Sequence, residues 1–341
     1  MDPCLISRFF DLRNGGVGRY SMELADRLDK KKSLDLEKVS QDGGLPLGEG
    51  LVGYFSFTAV EMPFKVPSAD VYHALSPLEA IYAPKPLLVT FHDFIPLFYP
   101  QEIGSDSVRG KMERWFTSNY FEMACSIALE KADFFTAVSK QTKEELVEKF
   151  GVEEEKITVV RHGVSPELEP GRKEDDTFRV GTLSFLGPRK RIDRLIEAFL
   201  EADVDGELVI GGRGREMERL KRIAGGDDRV KFLGFVPEKD LNDFFNSLDV
   251  FVFPTQSEGY GLPAVEAMAC KIPVVTVSDA VIPKDIQDKT VVAESLEKWF
   301  ENPYFEGIDL EENYEFAKKH DWKQCTEEHL DIYKKLSRGG V

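Results

Sequence analysis

Short apolar runs alternate with amphipathic stretches along most of this 341-residue chain. The runs are PLLVTF (86–91), FFTAVS (134–139), KITVV (156–160), FRVGTL (178–183), ELVIGG (207–212), VKFLG (230–234), DVFVFPT (249–255) and IPVVTV (272–277). Between them lie helical patterns such as KQTKEELVEKF and KRIDRLIEAFLEA. A strand that is apolar on both faces has to be covered on both, and the alternation of such strands with helices specifies parallel sheets between helical layers. The length exceeds what one core holds, so two domains are expected. The charged stretch EPGRKEDDT (169–177), with Pro170 and Gly171, separates two α/β patterns of similar size and reads as the linker. The expectation is two doubly wound domains, 1–168 and 177–315, facing each other across a cleft.

Charge narrows the function. With 61 acidic against 44 basic residues the formal net charge is −17, which argues against nucleic acid as a partner. Cys4, Cys125, Cys270 and Cys325 are scattered without a C-x-x-C pair. That spacing points to a reducing, cytoplasmic compartment and away from zinc or a disulfide framework. No run approaches the ~20 apolar residues of a membrane span, and the first residues lack the pattern of a secretory leader.

In open α/β sheets ligands bind beyond the carboxyl ends of the strands, and the unusual residues of this chain gather there. In SEGYGLPAVEAMAC (257–270), Glu258 and Glu266 flank a glycine, tyrosine and proline turn that opens a helix, with Pro263 in its first turn. A glycine-flanked helix N-terminus offers backbone N–H groups to a phosphate. Glu266, one turn in, suits a vicinal diol such as ribose, although helix-start glutamates also stabilise the dipole alone. Two carboxylates beside a diphosphate require cations, and Arg189 and Lys190 in GPRKR (187–191) follow a strand. Three further features are weaker: the loop RNGGVGRY (13–20) with Gly15 and Gly16, the glycine turn IGGRGRE (210–216), and His92 or His73 at strand ends. The glycine turns read equally well as tight turns, whereas His92 reads as a contact to a substrate hydroxyl before a cap, and His73 the other way round. A basic, aromatic segment, with Arg109, Lys111 and Arg114 beside Trp115, Phe116, Tyr120 and Phe121, reads either as core packing with a solvated face or as a stripe for an anionic membrane surface.

With these pieces in place the chain resembles glycosyltransferase family 4, retaining GT-B enzymes, and is closest to its mannosyltransferase-like members. GGVGRY, FHDFIPLFYP, TAVSKQTKEEL, ITVVRHGVSPEL, GPRKRIDRLIEAF, VKFLGFVPEKDL and SEGYGLPAVEAMACKIPVVT stand in the family's order. The last holds the paired glutamates with seven residues between them. The resemblance implies two Rossmann-like domains and a final helical segment, 316–341, that crosses back to the first. It implies a nucleotide-diphosphate sugar as donor, with a GDP or UDP base, and a glycan or lipid-linked acceptor. Glu266 would bind the ribose; Glu258, with Gly259, Tyr260, Gly261 and Leu262, the transferred sugar and adjacent phosphate. Arg189 and Lys190 would clamp the diphosphate, Gly15 and Gly16 would approach it from the other domain, and His92 would contact the sugar.

Three departures from the family pattern stand out, one of them a shortened region 285–315. Thr182 occupies the place of a frequent Arg, and VSDAVIPKD replaces the usual glycines or serines after IPVVT. The activity expected is a cytoplasmic hexosyltransferase with retention of configuration, needing no cofactor or metal; peripheral contact at the inner face of the membrane is the lesser of the two readings of the basic, aromatic segment. Two rival readings are a non-catalytic nucleotide-sugar-binding module and a dinucleotide-dependent oxidoreductase. The second lacks a complete G-x-G-x-x-G and its acidic ribose partner.

Overall fold

The computed structural model describes residues 1–12, 15–41, 55–99, 108–305 and 307–339. Its chain forms two compact units: Met1–Gly163 with Trp322–Val341, and Val164–Asp321. The two crossing points are neighbours, since Val164 N–H donates to His320 O at 2.7 Å and Val164 pairs with Asp321.

The first unit carries six parallel strands, β1 (Pro3–Ile6), β2 (Glu37–Val39), β3 (Val71–Ala74), β4 (Leu87–Phe91), β5 (Phe134–Ala137) and β6 (Ile157–Val159), in the order β2-β1-β3-β4-β5-β6. β1, β3 and β4 are buried at every position, as expected of mainly apolar strands covered on both faces; His73 and Thr90 are their buried polar residues. Helices α1 (Gly15–Asp29), α2 (Val108–Lys131) and α3 (Lys140–Phe150) belong to this unit. Ser139 caps α3 by accepting the Thr142 N–H, and Gly151 ends it in the left-handed conformation.

The second unit repeats the plan with β7 (Arg179–Leu183), β8 (Glu207–Gly211), β9 (Val230–Gly234), β10 (Val250–Val252), β11 (Val274–Val277) and β12 (Val291–Ala293). The order β12-β11-β10-β7-β8-β9 is the six-strand dinucleotide-fold arrangement, and it reverses direction between β7 and β10. Helix α4 (Ile192–Glu201) buries Ile192, Leu195, Ile196, Ala198 and Phe199. Helices α5 (Leu262–Ala269) and α6 (Leu310–Lys318) also belong to this unit, and α5 carries part of the site.

The charged stretch 169–177 does not link the units. It lies along the second one: Glu169 N–H donates to Asn242, Gly171 N–H to Asn246, Lys173 pairs with Asp249, and Asp175 with Arg179. Its polarity reflects an exposed path over a surface, and the division falls at Gly163/Val164 instead. The segment 316–341 also divides. Residues to Asp321 stay with the second unit, and α7 (Trp322–Ser337) belongs to the first.

A polar network fastens α7 to the first unit. His329 Nδ1 lies 2.7 Å from Cys325 O, so that nitrogen donates and Nε2 accepts from Tyr20 OH at 2.8 Å. Tyr20 oxygen in turn accepts from Thr90, 3.2 Å away, and Thr90 then accepts from His73 Nε2 (2.7 Å) and Thr136 (2.7 Å). Tyr333 OH donates to the remaining His73 nitrogen at 2.6 Å. Trp322 stacks on His162, which stacks on Tyr20.

Four of the five histidines, His73, His92, His162 and His329, are buried here. Burial lowers the pKa of each, to about 4 for His92 and His329. The unfolded chain therefore binds more protons than the folded one between pH 4 and the ordinary histidine value, so stability rises with pH across that window. Unfolding by urea at pH 7.5 and pH 5 should show each such histidine costing the first unit roughly 2 kcal/mol at the lower pH, offset in part by Glu79, whose carboxyl burial pushes up to about 7. His329→Gln should flatten that slope.

Candidate active site

The reversal of strand order between β7 and β10 opens a crevice at their carboxyl ends. Apolar β10 ends at Val252, and Pro254 stops the ladder before Thr255–Gly261 turns toward α5. Gly261 caps α5 with φ 96°, a left-handed angle in which a side chain would be strained. Pro263 follows in the first turn, where its missing N–H is no loss. From the neighbouring strand, β7 leads into the tight turn Pro188–Lys190.

Three donors converge on one oxygen of Glu258. Arg189 Nη1 donates to Oε1 at 2.9 Å, Thr255 Oγ1 at 2.7 Å, and Lys190 Nζ completes the set. Arg189 also donates to Ser257 O. The three charged side chains are 12–15% exposed. Burial pushes the Glu258 pKa up, but the Arg189 and Lys190 charges and the hydrogen bonds outweigh it and hold the carboxyl down to about 2. Glu258 is ionised, so the cluster of two cations and one anion keeps one net positive charge beside the N-terminus of α5. Lys190 Nζ also sits 5.7 Å from the centre of the Phe253 ring.

Glu266, 1% exposed, stands in the second turn of α5. Burial, then its charge, raises the neighbouring Cys270 thiol to about 12. Gly259, Tyr260 and Gly261 are buried between the two glutamates, and Leu262 opens the helix. Arg189, Lys190, Glu258 and Glu266 are thus all placed by the loops and helix of the second unit.

The other expected site residues stand in the first unit. Gly15 and Gly16 are exposed at the start of α1, and a Cβ at either would meet nothing within 4 Å. Residues 13–14 of that loop lie outside the described residues. His92 follows β4 and is 8% exposed. Its Nε2 donates to Leu75 O at 2.9 Å, which leaves Nδ1 to accept from His162 Nε2 at 3.2 Å.

Sequence reading missed Thr255 and Val281. Thr255 is a lone hydroxyl just past an apolar strand, a signal that was available. Val281 acts through its backbone: Gln256 N–H donates to Arg189 O (2.8 Å), Val281 N–H to Gln256 O (2.9 Å), and Glu258 N–H to Val281 O (2.9 Å). The loops after β7, β10 and β11 are stitched together this way, which is what the departing segment VSDAVIPKD does. The glycine turn 210–216 is structural. Gly212 has φ 119°, and a Cβ there would lie 1.8 Å from Ser184 O.

Known proteins match the chain in two blocks. The model described as Glycosyltransferase Family 4 matches residues 14–168, and that described as Glycosyl transferases group 1 matches residues 166–301. The chain belongs to glycosyltransferase family 4. It is a glycosyltransferase, and its relatives agree. O-antigen chain mannosyltransferase B of Escherichia coli is 26% identical over 278 residues, 73% of this chain and 70% of that protein. The match to the serotype-specific mannosyltransferase WbdA of Escherichia coli spans 52% of this chain and 24% of that protein. Among solved structures, Anabaena Alr3699/HepE in complex with UDP and glucose superposes with TM-score 0.73 at 17% identity, covering 98% of this chain and 100% of that one. Each unit is thus Rossmann-like, and the fold of the chain is GT-B.

Removing the Glu258 charge should leave two half-buried cations without their counterion. Glu258→Gln is expected to cost the second unit roughly 2–4 kcal/mol at pH 7, read from urea or thermal unfolding.

Proposed function

We propose that this glycosyltransferase moves a hexose from a nucleotide-diphosphate sugar to a glycan or lipid-linked acceptor, with retention of configuration and without a metal ion. One observation carries the reading: Arg189, Lys190 and Glu258 form a charged cluster at the strand-order reversal, beside a helix N-terminus with Glu266 one turn in. Arg189 and Lys190 would hold the diphosphate and stabilise the charge that grows on it as the sugar leaves. Glu266 would accept two ribose hydroxyls. Glu258, fixed by its donors, and the backbone of Gly259 to Leu262 would hold the transferred sugar.

Side-chain cations and the α5 N-terminus supply the positive charge that a metal supplies elsewhere, which supports metal independence. The Glu258 carboxylate is tied to two cations and is a poor nucleophile, which supports attack by the acceptor on the face the diphosphate leaves. For His92 to contact a sugar, its bond to Leu75 O or His162 would have to give way. The HepE complexes support a UDP base and the mannosyltransferase relatives a mannose-like hexose, so UDP- and GDP-linked hexoses are both candidates.

Thermal stabilisation by a panel of UDP- and GDP-hexoses should single out the donor, with transfer then followed by mass spectrometry. Glu266→Ala should weaken donor binding about tenfold or more. Lys190→Ala should lower kcat by about a hundredfold with a smaller change in donor affinity. If neither variant alters binding or rate, the reading falls.

Peripheral membrane contact has its own support. Trp115 is 61% exposed, and Val108, Met112, Phe116 and Met123 share its side of α2, while Phe121, Ala124, Cys125 and Ala128 are buried on the other. Core packing therefore does not account for Trp115 and Phe116. Exposed Lys111 and half-buried Arg114 flank the stripe; the side chain of Arg109 lies outside the described residues. Among the described residues no helix is long and apolar enough to cross a membrane, so contact would be peripheral. Sedimentation with anionic vesicles should be seen at low salt and lost at high salt or in Lys111→Glu/Arg114→Glu.

A further inference from the structure

The turn that carries Arg189 and Lys190 ends in a strained residue. Arg191 has φ 51° and ψ 34°, the left-handed region that glycine, asparagine and aspartate enter readily and other residues do not. Strain of this kind persists only where the surroundings over-determine it. Here three contacts do so. Arg191 N–H donates to Pro188 O (3.0 Å), and its carbonyl accepts from Leu195 N–H (3.3 Å) as α4 begins. Its guanidinium, 12% exposed, donates to Asp279 Oδ1 at 2.7 Å.

The bend decides where the clamp points. A right-handed residue at 191 would let Pro188–Lys190 run on into α4 as one helix. The turn would then leave α4 in another direction, whereas the bend now aims it so that Arg189 and Lys190 both reach Glu258. Asp279 lies in the turn after β11, the same turn whose Val281 is stitched to Gln256 and Glu258. The Arg191–Asp279 pair therefore ties the turn after β7 to the turn after β11 and encloses the loop that carries Glu258. Asp279 is 58% exposed, and a pair with so wet a partner adds little to stability. Its effect is on direction.

We propose that Arg191 and Asp279 are positioning residues for the transfer site, fixing the direction in which Arg189 and Lys190 leave the turn after β7. This rests on reading that turn as the diphosphate clamp. The test measures Kd for UDP and GDP by calorimetry, and Tm, in four variants beside the wild type. Asp279→Asn should weaken nucleoside-diphosphate binding about threefold, the weight of one exposed ion pair, with Tm unchanged. Arg191→Gly should weaken binding at least as much while Tm holds or rises, because the strain is gone. The exchange Arg191→Asp/Asp279→Arg keeps a residue that tolerates the left-handed angle and restores the pair, and should recover most of the affinity.

A merely structural role would move Kd and Tm together, with no recovery in the exchange, and that result overturns the proposal. So does an unchanged Kd in both single variants. The clamp variant Arg189→Ala/Lys190→Ala separates the two readings. If it loses nucleoside-diphosphate binding while the Arg191 and Asp279 variants keep it, only the positioning role fails. If it binds like the wild type, or the wild type binds neither UDP nor GDP, the clamp reading fails and this one with it.

Discussion

The second unit is organised around the point where its strand order changes direction. Helices feeding β8 and β9 leave on one side of β7, and those feeding β10 and its successors on the other, so no crossover covers the carboxyl ends of β7 and β10. Parallel strands aim all their carboxyl ends the same way, so whatever follows β7 and β10 must meet there. Arg189 and Glu258, 69 residues apart in the chain, are neighbours for that reason. An ion pair of this kind gains little where water reaches it, and once largely buried it offsets its desolvation only if further hydrogen bonds satisfy its atoms. Thr255, Ser257 and the backbone ladder through Val281 supply those extra bonds.

The first unit solves a different problem. Its sheet is mainly apolar, yet three polar strand residues, His73, Thr90 and Thr136, join Tyr20, His329 and Tyr333 in attaching α7 to it. A buried polar network is acceptable only when its donors and acceptors match, and a neutral set of rings can do this where ionised groups would have to be paired. The directional chain from Thr136 to Cys325 O fixes the seating of α7 more narrowly than apolar packing alone would. His92 is part of the same buried neighbourhood, through His162 and Tyr20, so the residue with the best claim to a sugar contact in this unit is also part of its scaffold.

Much of this was legible in the sequence because it is local. LLVTF, RVGTL, VKFLG and ELVIG form strands within a residue or so of where their apolar runs predict, and the helix start at Leu262 follows from Gly261 and Pro263. The charge pattern identified Arg189, Lys190 and Glu258 as a set, but not that the cations hold the carboxylate itself. Gly212 could not be told from a phosphate loop, since its reason is the carbonyl of Ser184 on another strand's loop. The stretch 169–177 has the composition of a linker because surface segments and linkers share one. α2 showed apolar residues on two sides, and only the fold distinguishes the buried side from the exposed one.

The route of the chain has a consequence for biosynthesis. Val164–Asp321 is continuous in sequence, whereas the first unit is split around it. As the polypeptide leaves the ribosome, the second unit has all its strands available before any residue of α7 has been made. The first unit waits, with Tyr20 and His73 unable to find His329 and Tyr333, until α7 has been made. Contacts separated by 309 and 260 residues then close in one late step. An apolar sheet face that stays uncovered for that interval is the part of the nascent chain most in need of a chaperone.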